Sequence, residues 1–225
     1  MNTNRRKEIL FGAAFVVLVV GLMIVAGMAS NGTSTQPSEY VGTQTSAIAP
    51  DDHIKGDPNS PVSIIIYGDY QCPACAAYEP VLKRLESEYA GKVAFVFRNF
   101  PLYQAHPNAE IAAKAAEAAA LQGKFWEMHD MLYAKQTEWS GKSTGSVVEN
   151  YFSKYAAAIG LDMQKFNTDI NSDTVKEKIF RDLNGGNAAE VDHTPTFFIN
   201  LTQIKNPSGY DEFKSIIDSK LAPAQ

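Results

Sequence analysis

The chain has 225 residues, 45% of them hydrophobic, a formal net charge of -5 and two cysteines. That length fits one folded domain with accessory segments, and the hydrophobic share is ample for a sizeable core. The negative balance gives no electrostatic basis for nucleic-acid binding, and two cysteines cannot build an extensive disulfide framework.

Arg5, Arg6 and Lys7 precede an uncharged run from Ile9 to Ala29, and the next charge is Glu39. About 20 apolar residues suffice to span a bilayer as a helix, and the basic cluster predicts a cytoplasmic N-terminus. Gly27-Met28-Ala29 offers the small residues of a signal-peptide cleavage site. Cleaved peptides have shorter apolar cores of about 7–15 residues, so the run reads as an uncleaved anchor. Residues 1–30 are therefore expected to be a basic N-terminus and a single transmembrane helix in the cell membrane. Residues 31–52, rich in Gly, Ser, Thr, Gln and Pro, read as a flexible polar linker. Residues 53–225 are then the extracytoplasmic domain.

Within that domain the segment from His53 to Pro61 leads into Val62-Ser63-Ile64-Ile65-Ile66-Tyr67, an apolar, β-branched run that predicts a buried strand. Gly68-Asp69-Tyr70-Gln71 leads to Cys72-Pro73-Ala74-Cys75, and beyond it Tyr78, Val81, Leu82, Leu85 and Tyr89 fall on one helical face. Both cysteines thus sit where a strand ends and a helix begins. Thiols spaced C-x-x-C in a first helical turn can close a disulfide on each other. The first also faces unpaired backbone N–H groups that favour its thiolate. Pro73 fits there, because the first turn needs no N–H from it. Half a zinc site would need two further ligands, and His53, His106, His129 and His193 are scattered without ligand spacing. Haem attachment would need a histidine where Ala76 stands. Thiol–disulfide exchange is the chemistry this pattern serves, with no cofactor and no metal.

Pro80 falls inside the helix after the cysteines, and Lys92 to Asn99 reads as a second strand, parallel to the first through a right-handed crossover. Helices are expected at Ala109–Ala120, from Phe125 to Tyr133, at Val147–Ile159, near Met163–Phe166 and at Asp173–Leu183, with Trp126, Trp139, Phe152, Tyr155 and Phe180 packing that layer. Thr196–Asn200 and Gln203–Lys205 read as a hairpin, and Tyr210–Leu221 as a closing helix. Pro195 precedes the hairpin, and the base rate of cis X-Pro bonds, about 5–6%, gives no reason to expect a cis bond there.

These residues together resemble a known family. Cys72-Pro73-Ala74-Cys75 after a strand, Pro80 five residues on, and Thr194-Pro195 opening a strand look like a thioredoxin fold. Arg98-Asn99-Phe100-Pro101-Leu102, His106-Pro107, the stretch from Gly123 to Asp130 and Thr194-Pro195-Thr196-Phe197-Phe198-Ile199-Asn200 are similar to the membrane-anchored DsbA-type thiol–disulfide oxidoreductases. The resemblance implies an α/β thioredoxin fold with an inserted helical domain at about 105–186 and a cis Pro195 beside the cysteines. A monomer is expected. It implies that Cys72 is the exposed attacking sulfur and Cys75 the resolving one. Pro73, Ala74, His193, Thr194 and Pro195 would then tune the pair and hold substrate. Three positions depart from the family pattern. The dipeptide between the cysteines is Pro-Ala where the strongest oxidases resemble Pro-His. Ile66 stands where many members carry a buried acid, and the second strand lacks the lysine often paired with it. These departures bear on redox strength and proton handling.

The leading functional expectation is an oxidase of exported proteins, recharged by a membrane redox partner. A reductase or isomerase would run the same residues the other way; residues 30–52 are too short and polar for the dimerisation module of an isomerase, which counts against the isomerase alone. A copper-handling protein using Cys72, Cys75 and His193 is the reading from another class, since soft thiolates select Cu(I).

Overall fold

The computed structural model describes residues 40–222, so the span expected at 9–29 lies outside the described residues. Among those residues no helix is long and apolar enough to cross a membrane.

Strands β1 (Tyr40–Gln44), β2 (His53–Lys55), β3 (Val62–Gly68), β4 (Val93–Asn99), β5 (Thr196–Ile199) and β6 (Thr202–Ile204) form one mixed sheet in the order β1-β6-β5-β3-β4-β2. β3 and β4 are parallel, joined through helix α1 (Pro73–Glu88), and β3 pairs antiparallel with β5. β3 is buried on both faces. Ile64 and Ile66 point into the main core, while Ile65 and Tyr67 enter a second cluster with Val96, Phe100, Val191 and Phe198. That explains why its sequence is continuously apolar rather than alternating. Asn200 and Leu201 form the β5–β6 turn, both at positive φ (47° and 71°), as a two-residue hairpin requires.

One core face is closed by α1 and by α9 (Tyr210–Leu221), where Phe213 meets Phe197 edge-on at 5.0 Å. Between β4 and β5 the chain makes only helical turns: α2 (Ala109–Ala120), α3 (Phe125–Ala134), α4 (Gln136–Trp139), α5 (Thr144–Val147), a π-turn over Val148–Phe152, α6 (Ser153–Ala158), α7 (Met163–Asp169) and α8 (Asp173–Ala188). Alanines let α2 pack closely: Ala112, Ala115, Ala116, Ala118 and Ala119 are all fully buried. Trp139 is fully buried, donates Nε1–H to the Leu132 carbonyl at 3.0 Å and meets Phe152 edge-on at 5.1 Å. Phe180, expected in this packing, is 62% exposed instead. The inward positions of α8 are taken by Val175, Lys178, Ile179 and Asp182, so the helical phase turns Phe180 outward.

Residues 40–52, expected as part of a flexible linker, belong to the fold. β1 pairs with β6, and the segment after it wraps a buried cation. Arg98 donates to both Asp52 carboxylate oxygens at 3.0 and 2.7 Å, to Thr45 Oγ1 at 3.1 Å, to the Ala47 carbonyl at 2.8 Å and to the Tyr67 hydroxyl at 3.2 Å. The polar composition of that segment serves to hold a guanidinium. β2 then pairs antiparallel with β4 at the opposite edge. His53 stacks on Phe125 at 3.4 Å and meets the Glu117 carboxylate at 2.9 Å.

Candidate active site

β3 ends at Gly68, where a Cβ would come 2.5 Å from the Phe97 ring, so only glycine fits the approach to the turn that follows. Asp69 then directs its buried carboxylate back into the chain. It accepts from Gln71 N at 2.7 Å and Leu102 N at 2.9 Å, and it pairs with His106 Nδ1 at 2.7 Å. Cys72 N donates to the Asp69 carbonyl at 3.1 Å. The turn is thereby fixed before the helix starts. Cys72 is the N-cap residue with extended backbone (φ -70°, ψ 121°), and Pro73 occupies the first turn of α1. Pro73 and Ala74 are exposed between the two buried cysteines.

Pro195 closes the other side. The Thr194–Pro195 bond is cis, as the resemblance implied, and both residues are buried. The Cys72 thiol donates to the Thr194 carbonyl at 3.2 Å. Thr196 Oγ1 holds the His193 carbonyl at 2.7 Å, and Asn206 Nδ2 holds the Pro195 carbonyl at 2.7 Å.

The two free thiols sit in opposite electrostatic surroundings. The Cys75 thiol, hydrogen-bonded to Cys72, is the largest influence lowering the Cys72 pKa to about 5. Burial opposes it, while Thr194 and the backbone N–H groups of Cys75 and Ala74 add to the lowering. Burial pushes Cys75 well above its ordinary value, and facing Cys72 pushes it further. One sulfur is thus a nucleophile or leaving group at neutral pH, and its partner keeps its proton.

Two expectations about this site are corrected. Cys72 is only 6% exposed, little more than Cys75 at 4%, because the Thr194–Pro195 segment lies against it. The two sulfurs differ in hydrogen bonding far more than in access. His193 turns its exposed imidazole to Asp192 at 2.6 Å, and it is not among the main groups acting on Cys72. Asp69, for its part, is 1% exposed, and its carboxylate oxygens are taken up by the local donors Gln71 N and Leu102 N.

Further along α1 lies a group that spacing did not reveal. Glu79, one turn beyond Cys75 on α1, has its pKa raised to about 8, chiefly by burial. His129 is fully enclosed by the rings of Tyr70, Phe97, Phe125, Trp126 and Tyr133, and burial lowers its pKa to about 4. Glu79, His129 and Asp130 could each offer a metal one ligand atom within 4.8 Å of the others. Glu79 faces Nε2 at 3.7 Å and Asp130 faces Nδ1 at 3.1 Å, so the two carboxylates approach different nitrogens of one ring. Lys83 already neutralises Asp130 at 3.1 Å. Cys72, Cys75 and His193, the copper alternative, are not assembled, since His193 faces Asp192.

The turn also touches the helical insertion through side chains that sequence reading passed over. Gln136 donates to the Tyr70 and Cys72 carbonyls at 2.8 and 2.9 Å. Gln71 donates to the Ser140 carbonyl at 2.7 Å and accepts from Asn108 N at 2.6 Å. No motif marks them, because their partners lie far along the chain.

Residues 49–219 match the thioredoxin family model Thioredoxin_4. The chain belongs to the thioredoxin family. Its fold is DsbA-like: BdbD of Bacillus subtilis superposes with a TM-score of 0.69 at 23% identity, covering 81% of this chain and 98% of that one. The thiol–disulfide exchange protein alpha-DsbA2 of Wolbachia pipientis superposes with a TM-score of 0.62 at 23% identity, covering 75% and 86%. A curated relative, the Na(+)/H(+) antiporter NhaA 1 of Mycobacterium sp. strain KMS, is 37% identical over 177 residues, which are 76% of this chain and 27% of the antiporter. The chain thus spans about a quarter of that relative's length.

Proposed function

We propose that this thioredoxin-family protein is an extracytoplasmic thiol–disulfide oxidase, with Cys72 as the attacked sulfur and Cys75 as the resolving one. The observation that carries it is the asymmetry of the pair: Cys72 lowered to about 5 and Cys75 raised well above its ordinary value. A disulfide whose reduced form is stabilised by a thiolate is an oxidant.

In the oxidised protein a substrate thiolate attacks Cys72 Sγ, forming a mixed disulfide and breaking the Cys72–Cys75 bond. Cys75 leaves with the electron pair and takes a proton, as its raised pKa favours. A second substrate thiolate then attacks the substrate sulfur of the mixed disulfide. The substrate keeps the new disulfide, and Cys72 leaves as the thiolate. Two electrons have moved to the protein, one proton rests on Cys75 and one is released. Thr194 and Pro195 would hold an extended substrate backbone beside Cys72, with the exposed Pro73-Ala74 dipeptide meeting it from the helix.

The substrates are exported proteins with free thiols, and a membrane redox partner takes the electrons. The charge pattern around Ile9–Ala29 supports a single-pass anchor with the catalytic domain outside. Protease added to spheroplasts is then expected to release residues from about 40 onward, and protection would overturn that orientation. The antiporter name belongs to much longer proteins, and no antiport is proposed for this chain. The direction of electron flow is tested by equilibrating the purified domain with glutathione. A potential above about -200 mV is expected, and a value near thioredoxin's, about -270 mV, would reverse the assignment.

A further inference from the structure

The thiols stand on one surface of the thioredoxin core, yet the turn that carries them is held from outside that core. α4 is a single turn of helix, and Trp139 anchors it by burial and by its bond to Leu132. At its first position Gln136 is 7% exposed, and one carboxamide nitrogen reaches two main-chain oxygens, Tyr70 O at 2.8 Å and Cys72 O at 2.9 Å. The second strap is reciprocal. Gln71 reaches Ser140 and receives Asn108 N, while Asn108 Nδ2 donates to the Lys142 carbonyl at 2.9 Å and its Oδ1 accepts from Thr144 at 2.7 Å.

The Cys72 carbonyl is the first acceptor of α1, taking Ala76 N at 3.2 Å. Its orientation is set by ψ of Cys72, and that torsion also decides how the amides of Ala74 and Cys75 lie relative to the Cys72 sulfur. A neutral donor with two N–H groups can clamp both oxygens without adding charge beside the thiol, which lysine or arginine would do.

We propose that Gln136 is a positioning residue for thiol–disulfide exchange: by clamping the Tyr70 and Cys72 carbonyls from the helical insertion, it aims the Ala74 and Cys75 amides at Cys72 Sγ. The insertion then acts on the reactivity of the thiol and does not merely cover it. This rests on the exchange reading above. Those same amides are among the groups that stabilise the Cys72 thiolate. Loosening the clamp therefore raises the thiol pKa and makes the disulfide a weaker oxidant.

The test uses Gln136→Met, of similar length and without donors, Gln136→Asn, long enough for one carbonyl at most, and Phe166→Leu. Phe166 is fully buried in α7 and serves as a stability control. Thiolate absorbance of each reduced protein is followed against pH, beside thermal unfolding. Gln136→Met is expected to move the Cys72 midpoint up by about one pH unit, with Gln136→Asn between it and the parent. Phe166→Leu is expected to lower the unfolding temperature and leave the midpoint in place. An unmoved midpoint in folded Gln136→Met, or an equal move in Phe166→Leu, overturns the positioning role and leaves the oxidase reading standing. A parent protein whose own midpoint lies near the ordinary thiol value overturns the oxidase reading itself. If Gln136→Met does not fold, Gln136→Asn decides by the same measurement.

Discussion

The acidity of Cys72 fixes how the reduction potential must depend on pH. With a thiol pKa of about 5 against an ordinary 9.0, nearly every Cys72 is ionised at pH 7 in the reduced protein. Ionisation then stabilises the reduced form by about 2.7 kcal/mol at pH 7, two units at ~1.36 kcal/mol each, which equals about 60 mV for a two-electron couple. Below about pH 5, reduction of the disulfide takes up two protons, so the potential falls by about 59 mV per unit. Above it only Cys75 takes a proton and the slope halves to about 30 mV per unit. The sign for stability follows from linkage. A folded pKa below the unfolded one contributes stability that is fully present above 9.0 and is lost as pH falls through about 5. The reduced protein therefore gains stability over the oxidised one as pH rises across that window. Equilibration with glutathione buffers from about pH 4 to 8, corrected for glutathione's own ionisation, reads the slope directly. A steady slope of about 59 mV per unit through pH 8 would refute the assignment of an acidic Cys72.

Cys75→Ser is expected to accumulate mixed disulfides with exported proteins and Cys72→Ser none, read on non-reducing gels; equal trapping by both would undo the division of labour. Arg98→Met leaves the buried Asp52 with only Lys178 at 4.0 Å and the Ala49 N–H, and is expected to cost about 3 kcal/mol in urea unfolding, whereas a loss under 1 kcal/mol would make the wrap of residues 45–52 incidental. Glu79→Gln is expected to stabilise the fold by about 3 kcal/mol at pH 7, because the folded carboxyl stays protonated up to about 8 while the unfolded one ionises from 4.5. That gain should vanish below about pH 4, and a gain independent of pH would show that Glu79 is not held neutral.

What could be read from the sequence was what neighbouring residues decide together. A β-branched run, a glycine, two thiols a helical turn apart and a proline at the first helical position all act over a few residues, and β3, α1 and the redox pair followed from them. The strands β1 and β2 were hidden because each is short and lies at a sheet edge. Their pairing with β6 and β4 comes from chain far away, and their own residues are mostly polar. Arg98 read as the end of a strand, and nothing local showed that Asp52 and Thr45 would enclose it. The cis geometry at Pro195 came through resemblance, since proline statistics alone point to trans. Glu79 carries no signal in its own neighbourhood, since the His129 that faces it comes from α3, some fifty residues on.

The way the chain enters the domain has a mechanical consequence. The strand that comes first in sequence, β1, hangs on β6, and two further strands separate it from β4, where Arg98 clasps the segment that follows. Any pull arriving through residues before Tyr40 is borne first by the β1–β6 ladder and then by that guanidinium clasp. Neither element carries a thiol, and no hydrogen bond described above joins either to the Asp69–Cys75 turn. A load on the chain would have to strip an edge strand and break a buried ion pair before it bent the geometry that sets the sulfur's reactivity.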